Sequence, residues 1–323
     1  MFSLPSLMSR NEVFARFRGV APIALLIALV LGVGMAAPGF LSVSTLTVLL
    51  SDTAVLFILA TGVTFVIMLG GIDLSIQALA SLASVLLARL LPSMGLSAYL
   101  VALAAGLVFG IASGLVHVRL RVPSFVATLA TGGVVAGLAL LAADGRAITI
   151  EEAGRAHTAW INARLFGVPN VVIIAAVVGV AAFLVQRYTR FGRYSVAVGA
   201  GEPAALAAGI NVDRTKVIAF ALSGLLAALA GVILAARLSS GSPTLANQLL
   251  LPAIAAVIVG GTAITGGLGN VGRTAVGALI ISIVRIGMTF IGINIFAEQI
   301  IFGTVLILAV AITIDRSKIA IIK

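Results

Sequence analysis

Runs of about twenty apolar residues alternate along this chain with short polar gaps. They lie near residues 20–37, 46–69, 74–91, 96–116, 124–142, 169–186, 217–236, 251–265, 274–293 and 297–314. An α-helix needs about 20 apolar residues to cross a hydrocarbon core about 30 Å thick, and lipid offers no partner to a free backbone N–H or C=O. The pattern therefore predicts an all-α polytopic membrane protein with about ten transmembrane helices. Pro92 and Gly95 mark a tight turn between the third and fourth runs. Pro123 opens the fifth, where its missing N–H does least harm.

The polar gaps fall into two kinds. With the N-terminus placed inside, one side collects Arg10, Arg16, Arg18, Arg119, Arg121, Arg187, Arg190, Arg193, Arg214, Lys216, Arg273, Arg316, Lys318 and Lys323. These are 14 of the 20 basic residues; Arg89, Arg146, Arg155, Arg164 and Arg237 fall on the other side, and Arg285 lies within a run. This bias predicts that both termini are cytoplasmic, with an N-terminal segment over 1–19 and an inner loop over 187–216. It also accounts for the net charge of +10. The basic residues flank membrane spans instead of forming one patch, which argues against a nucleic-acid partner. A chain that is 61% hydrophobic and 9% charged, with mean hydropathy +1.26, lies far outside soluble usage. The first run looks like a signal peptide as far as Met35-Ala36-Ala37, but it is longer than a typical apolar core and Pro38 follows, so it is predicted to be retained.

Small residues recur where helices must touch. Gly106, Gly110 and Gly114 share one face of the fourth run, and Ser223, Ala227 and Gly231 share one face of the seventh. In lipid such faces let backbones approach closely, and van der Waals contact replaces the hydrophobic force. Two connections are longer than turns. Asp144–Pro169, predicted outside, carries Glu151, Glu152, Arg155, His157 and the sole tryptophan, Trp160, whose ring suits a membrane interface. Arg187–Lys216 is predicted inside.

Catalytic and cofactor chemistry finds little support. Zero cysteines remove disulfides, thiolate catalysis and sulfur metal sites, and two isolated histidines, His117 and His157, make no metal site. Residues 267–274, GLGNVGRT, imitate a nucleotide loop, but the run joins two apolar spans without a feeding strand and reads as a glycine-rich hinge. No catalytic residue, cofactor or metal is expected.

Asp73, in Gly70-Gly71-Ile72-Asp73-Leu74-Ser75, lies between two apolar runs, where an unpaired carboxylate is costly. It is expected either to cap the helix that starts there or to stand on a solute path. Asp52 and Arg285 are the other candidate intramembrane charges, and a pair between them is a further possibility. In the inner loop, Glu202-Pro203-Ala204-Ala205-Leu206-Ala207-Ala208-Gly209 has helix-start chemistry, then helix formers, then a glycine stop. A helix under three turns is marginal alone and needs something to dock against. It is expected either to rest on anionic lipid or to present itself to a cytoplasmic partner.

Four segments in order carry a resemblance: GGIDLS at Gly70–Ser75, VPSFVATLAT at Val122–Thr131, TRFGRYSVAVGAGEPAALAAGI at Thr189–Ile210 and AIAAVIVGGTAITGGLGNVG at Ala253–Gly272. Over about residues 46–314 the chain resembles the permease subunits of ribose-type ABC sugar importers. The resemblance implies a single permease domain over 1–323 in the bacterial inner membrane, working as an ATP-driven monosaccharide importer. It implies as partners a second permease subunit, identical or related, two cytoplasmic ATP-binding subunits and a periplasmic sugar-binding protein. It makes Gly201, Glu202, Pro203, Ala204, Ala205, Leu206, Ala207, Ala208 and Gly209 the coupling helix that enters a groove on the ATPase. Asp73, Ser75, Phe125 and Thr128 are placed near the path or its gate. The chain departs from the family pattern at Gln77, Leu250, Pro252 and Arg273. Two alternatives stay open: an ABC permease for a branched-chain amino acid or nucleoside, and an ion-coupled carrier, which would need intramembrane carboxylates and discontinuous helices.

Overall fold

The computed structural model describes residues 10–294 and 297–313; residues 1–9 of the expected N-terminal segment, and Arg316, Lys318 and Lys323, lie outside the described residues. The chain begins with α1 (Arg10–Ala36), α2 (Val43–Met68), α3 (Ile76–Met94), α4 (Ser97–Arg119) and α5 (Ser124–Ala142). Next come α6 (Glu152–Asn162), α7 (Asn170–Tyr188), α8 (Arg190–Ala200), α9 (Glu202–Ala207) and α10 (Val212–Leu238). The last helices are α11 (Leu250–Val259), α12 (Val271–Phe290) and α13 (Glu298–Thr313). Seven of them, α2, α3, α4, α5, α7, α10 and α12, are long and apolar enough to cross a membrane, so the chain is a polytopic membrane protein.

The remaining three expected runs fall on α1, α11 and α13, and α11 corrects the reading of 251–265 as a span. Its ten residues reach only about 15 Å at 1.5 Å per residue, half of a hydrocarbon core. Gly261, at φ +95°, turns the chain where hydropathy runs on. Thr262 N–H donates to Val257 O at 3.1 Å, which closes the helix end.

The connection between α5 and α7 is ordered. It holds α6 and two short antiparallel pairings: β1 (Ile148–Thr149) with β4 (Ser240–Gly241), and β2 (Arg164–Leu165) with β3 (Val168–Pro169). Gly154, Thr158 and Ile161 form the buried face of α6. The first pairing fastens this connection to the end of α10.

The core is organised around α10, which packs on α2, α3 and α4. Small residues set these approaches, as the glycine spacing predicts. A Cβ on Gly106 would overlap Ala228, one on Gly110 would overlap Phe220 O, and one on Gly114 would lie 2.9 Å from Val217 Cα. On the other face of α10, a Cβ on Gly231 would overlap Ala80 O. Such contacts admit no larger side chain without moving a helix.

Candidate functional site

At the two ends of Gly70–Ser75 the helices supply partners, Gly70 N–H and Gly71 N–H donating to Ile67 O and Val66 O and Ser75 O accepting from Leu79 N–H, but the backbone between needs partners from elsewhere. The first turn of α5 supplies two. Ile72 N–H donates to Ser124 Oγ at 3.0 Å, and Leu74 N–H donates to Thr128 Oγ1 at 3.0 Å. Gly132, one turn further along α5, allows close approach, because a Cβ there would stand 3.2 Å from Ser75 Cα.

Asp73 is 1% exposed, and its carboxylate is satisfied within the chain. Ser75 donates twice to Oδ1, from N–H at 2.9 Å and from Oγ at 2.6 Å. Ser223 Oγ, from α10, donates to Oδ2 at 2.7 Å. The carboxylate thus accepts an N–H group, but as a turn before the helix; the cap position of α3 belongs to Ser75. Of the expected path residues, Asp73, Ser75 and Thr128 meet at this junction. The Phe125 side chain is 49% exposed and stands apart from them.

The same junction touches the loop that follows α7. Gly267 N–H donates to Met68 O at 2.9 Å, and a Cβ on Gly199 in α8 would overlap that same Met68 oxygen and Gly267 N. Gln186, near the end of α7, closes the group: its Nε2 donates to Gly269 O at 2.8 Å, and its Oε1 accepts from Val271 N–H at 3.0 Å. The ends of α2, α7 and α8 and the turn before α12 therefore form one contact.

Beyond α8, residues Glu202–Ala207 are helical, as the helix-start chemistry predicts. Gly209 takes φ +76°, and Ile210 N–H returns to Ala205 O at 3.0 Å, a glycine stop of the expected kind. Ala205 is buried against the chain while Leu206 is 60% exposed. Lys216 Nζ, in the first turns of α10, lies 2.5 Å from Glu202 Oε1 and ties the helix to α10.

The remaining charges do not pair as Asp52 with Arg285. Asp52 Oδ1 meets Arg237 Nη2 at 2.8 Å across α2 and α10, and Arg285 Nε meets Glu298 Oε1 at 3.3 Å across α12 and α13. Arg237 also donates to Ser51 O at 3.2 Å, and it edges a cavity of about 190 Å3 shared with Thr47, Asn162 and Arg164. Sequence reasoning gave no role at the junction to Ser124, Gln186, Gly199 or Arg237, and read Ser223 only as a helix contact. Their partners are distant in the chain, and only the small residues near Ser223 gave a signal.

A bundle of membrane-length helices, a buried polar junction and a short helix on a surface loop define a polytopic membrane protein. Residues 44–310 match the family described as branched-chain amino acid transport system / permease component, and the chain belongs to that family. It is 36% identical over 300 residues to the ribose import permease protein RbsC of Escherichia coli K12, covering 92% of each chain. It is 37% identical over 302 residues to RbsC of Bacillus subtilis 168, covering 93% of each. The L-arabinose transport system permease protein AraH of Escherichia coli K12 is 37% identical over 206 residues, 64% of this chain and 62% of AraH. The chain is therefore an ABC transporter permease component, a transport subunit and not a catalytic enzyme.

Proposed function

We propose that this permease imports a monosaccharide, a pentose or hexose, across the bacterial inner membrane. The observation that carries the substrate class is the likeness over 92–93% of the chain to two ribose import permeases. A second permease subunit, identical or related, completes the path. A periplasmic sugar-binding protein delivers the solute and two cytoplasmic ATP-binding subunits supply the work.

In this reading residues 187–216 lie in the cytoplasm and 201–209 form the coupling helix. The exposed Leu206 and the fastening of Glu202 to Lys216 support it, since a helix this short needs a partner surface. ATP-driven movement of α9 passes through α8 to the Gly70–Ser75 junction. There Asp73, Ser75 and Thr128 act on the path from behind, by holding the junction together, while Phe125 offers an exposed ring at its gate.

The family's own description favours a second reading, import of a branched-chain amino acid. One experiment separates them. The chain is reconstituted in vesicles with its ATPase and binding-protein partners, and uptake of labelled ribose, arabinose, glucose and leucine is followed. Concentrative, ATP-dependent uptake of a sugar is expected. Uptake of leucine alone would overturn the substrate class, and uptake by the chain without any ATPase would overturn the mechanism.

A further inference from the structure

A cavity of about 480 Å3 opens where α8 meets the first turns of α10. Phe191 and Ile218 give it an apolar floor, and Arg190, Tyr194, Asn211 and Arg214 stand around it. Its lining carries two guanidinium groups and no carboxylate. Among the described residues neither guanidinium has a protein partner: the bond of Arg214 to Asn211 Oδ1 is made by its backbone N–H, and the three ion pairs involve other cations. Two exposed like charges at the edge of one hollow, with no carboxylate in its lining, suit an anion.

The position of the cavity indicates which anion. Val177, Val180, Leu184 and Tyr188 lie on one exposed face of α7, and that apolar stripe ends two residues before Arg190. Arg214 and Ile218 lie where α10 begins its apolar length. The guanidinium groups thus stand at the level where helices enter the bilayer, beneath a surface suited to acyl chains. Tyrosine belongs at that level too.

We infer that this cavity holds the phosphate of an anionic phospholipid of the inner leaflet, gripped between Arg190 and Arg214, with its chains along the exposed face of α7. The inference rests on the cytoplasmic placement of residues 187–216. A lipid bound there would bridge α8 to α10, fastening both ends of the segment that carries α9. Anionic lipid would then set how freely the loop helix moves.

The test is native mass spectrometry of the full chain, purified in detergent without partner subunits and titrated with phosphatidylglycerol or with phosphatidylcholine of the same acyl chains. Wild type should retain one phosphatidylglycerol in preference to phosphatidylcholine. Arg190→Gln and Arg214→Gln should each weaken retention about fivefold, and the double variant about thirtyfold, since a basic residue near an anionic lipid surface contributes about 1 kcal/mol. Arg190→Lys with Arg214→Lys should keep most of the retention. The single variants keep the test readable if the double variant fails to fold.

Equal retention of both lipids, or retention indifferent to the Gln variants, would overturn the inference. Displacement by inorganic phosphate at matching concentration would assign the cavity to free phosphate instead. Gln variants that keep the lipid in this titration but lose capture of the ATPase in a separate pull-down would overturn the inference and assign the surface to an acidic segment of that partner. Because no solute or ATPase is present in the lipid titration, its outcome is independent of which solute the permease carries.

Discussion

Two helices of this chain share a composition and differ in surroundings. The apolar stretches of α7 and α10 have mean hydropathies of 2.1 and 2.6, yet 11% of the first is buried within the chain against 61% of the second. The difference lies in side-chain size. α10 carries Ser223, Gly224, Ala227, Ala228 and Gly231, whose small profiles admit the backbones of α2, α3 and α4. α7 shows Val177, Val180, Phe183 and Leu184 outward and has fewer small residues, of which Gly179 packs against the Phe57 ring and not against a backbone. Hydropathy thus decides which solvent a helix occupies, while the distribution of small residues decides which helices it touches.

The comparison can be broken most sharply at Gly231. A leucine there would drive into Ala80 O, and Gly231→Leu should cost more than about 3 kcal/mol, read as loss of the folded chain in detergent unfolding. Val180→Leu on α7 should stay within about 0.5 kcal/mol in the same assay. A loss at Val180 equal to that at Gly231 would refute the distinction. Asp73→Ala leaves Ser223 and Ser75 without their shared acceptor and should cost about 3 kcal/mol by the same measurement. Ser223→Ala removes one donor to that carboxylate and should cost about 1.5–3 kcal/mol.

At the other extreme lies the surface loop. Glu202→Lys combined with Leu206→Asp breaks a half-exposed pair, in which the Lys216 side chain is 14% exposed and that of Glu202 47%, and changes an exposed side chain, so stability should shift by about 1 kcal/mol. The same double change should abolish stimulated ATP hydrolysis in the reconstituted importer. Intact stimulation would sink the role proposed for α9.

Much of the fold was legible because lipid makes hydropathy a strong signal. A helix stands on every expected apolar run, the glycine faces of α4 and α10 lie in contact, and Gly209 stops α9 as its sequence predicts. The error over 251–265 has a specific cause. Thr262, Ala263 and Ile264 keep the average apolar after Gly261 has already turned the chain. The helices α6 and α8 were missed because their residues are mixed and their lengths short. Thr189, whose Oγ1 accepts from Gly192 N–H at 3.3 Å, was the available sign of α8. Ser75 is local to Asp73, but Arg237 and Ser223 stand 185 and 150 positions from Asp52 and Asp73, and nothing local to either carboxylate names a donor that distant.

The contact at Gly199 carries a mechanical consequence. Where two elements meet through side chains, part of any displacement is absorbed as torsions turn about their bonds. Here main chain rests on main chain: Gly199 abuts the oxygen of Met68 and the nitrogen of Gly267, and neither atom can swing aside without its whole segment. The joint leaves little slack, so under the proposed coupling a displacement of α8 would be handed on to the foot of α2 with little taken up between them.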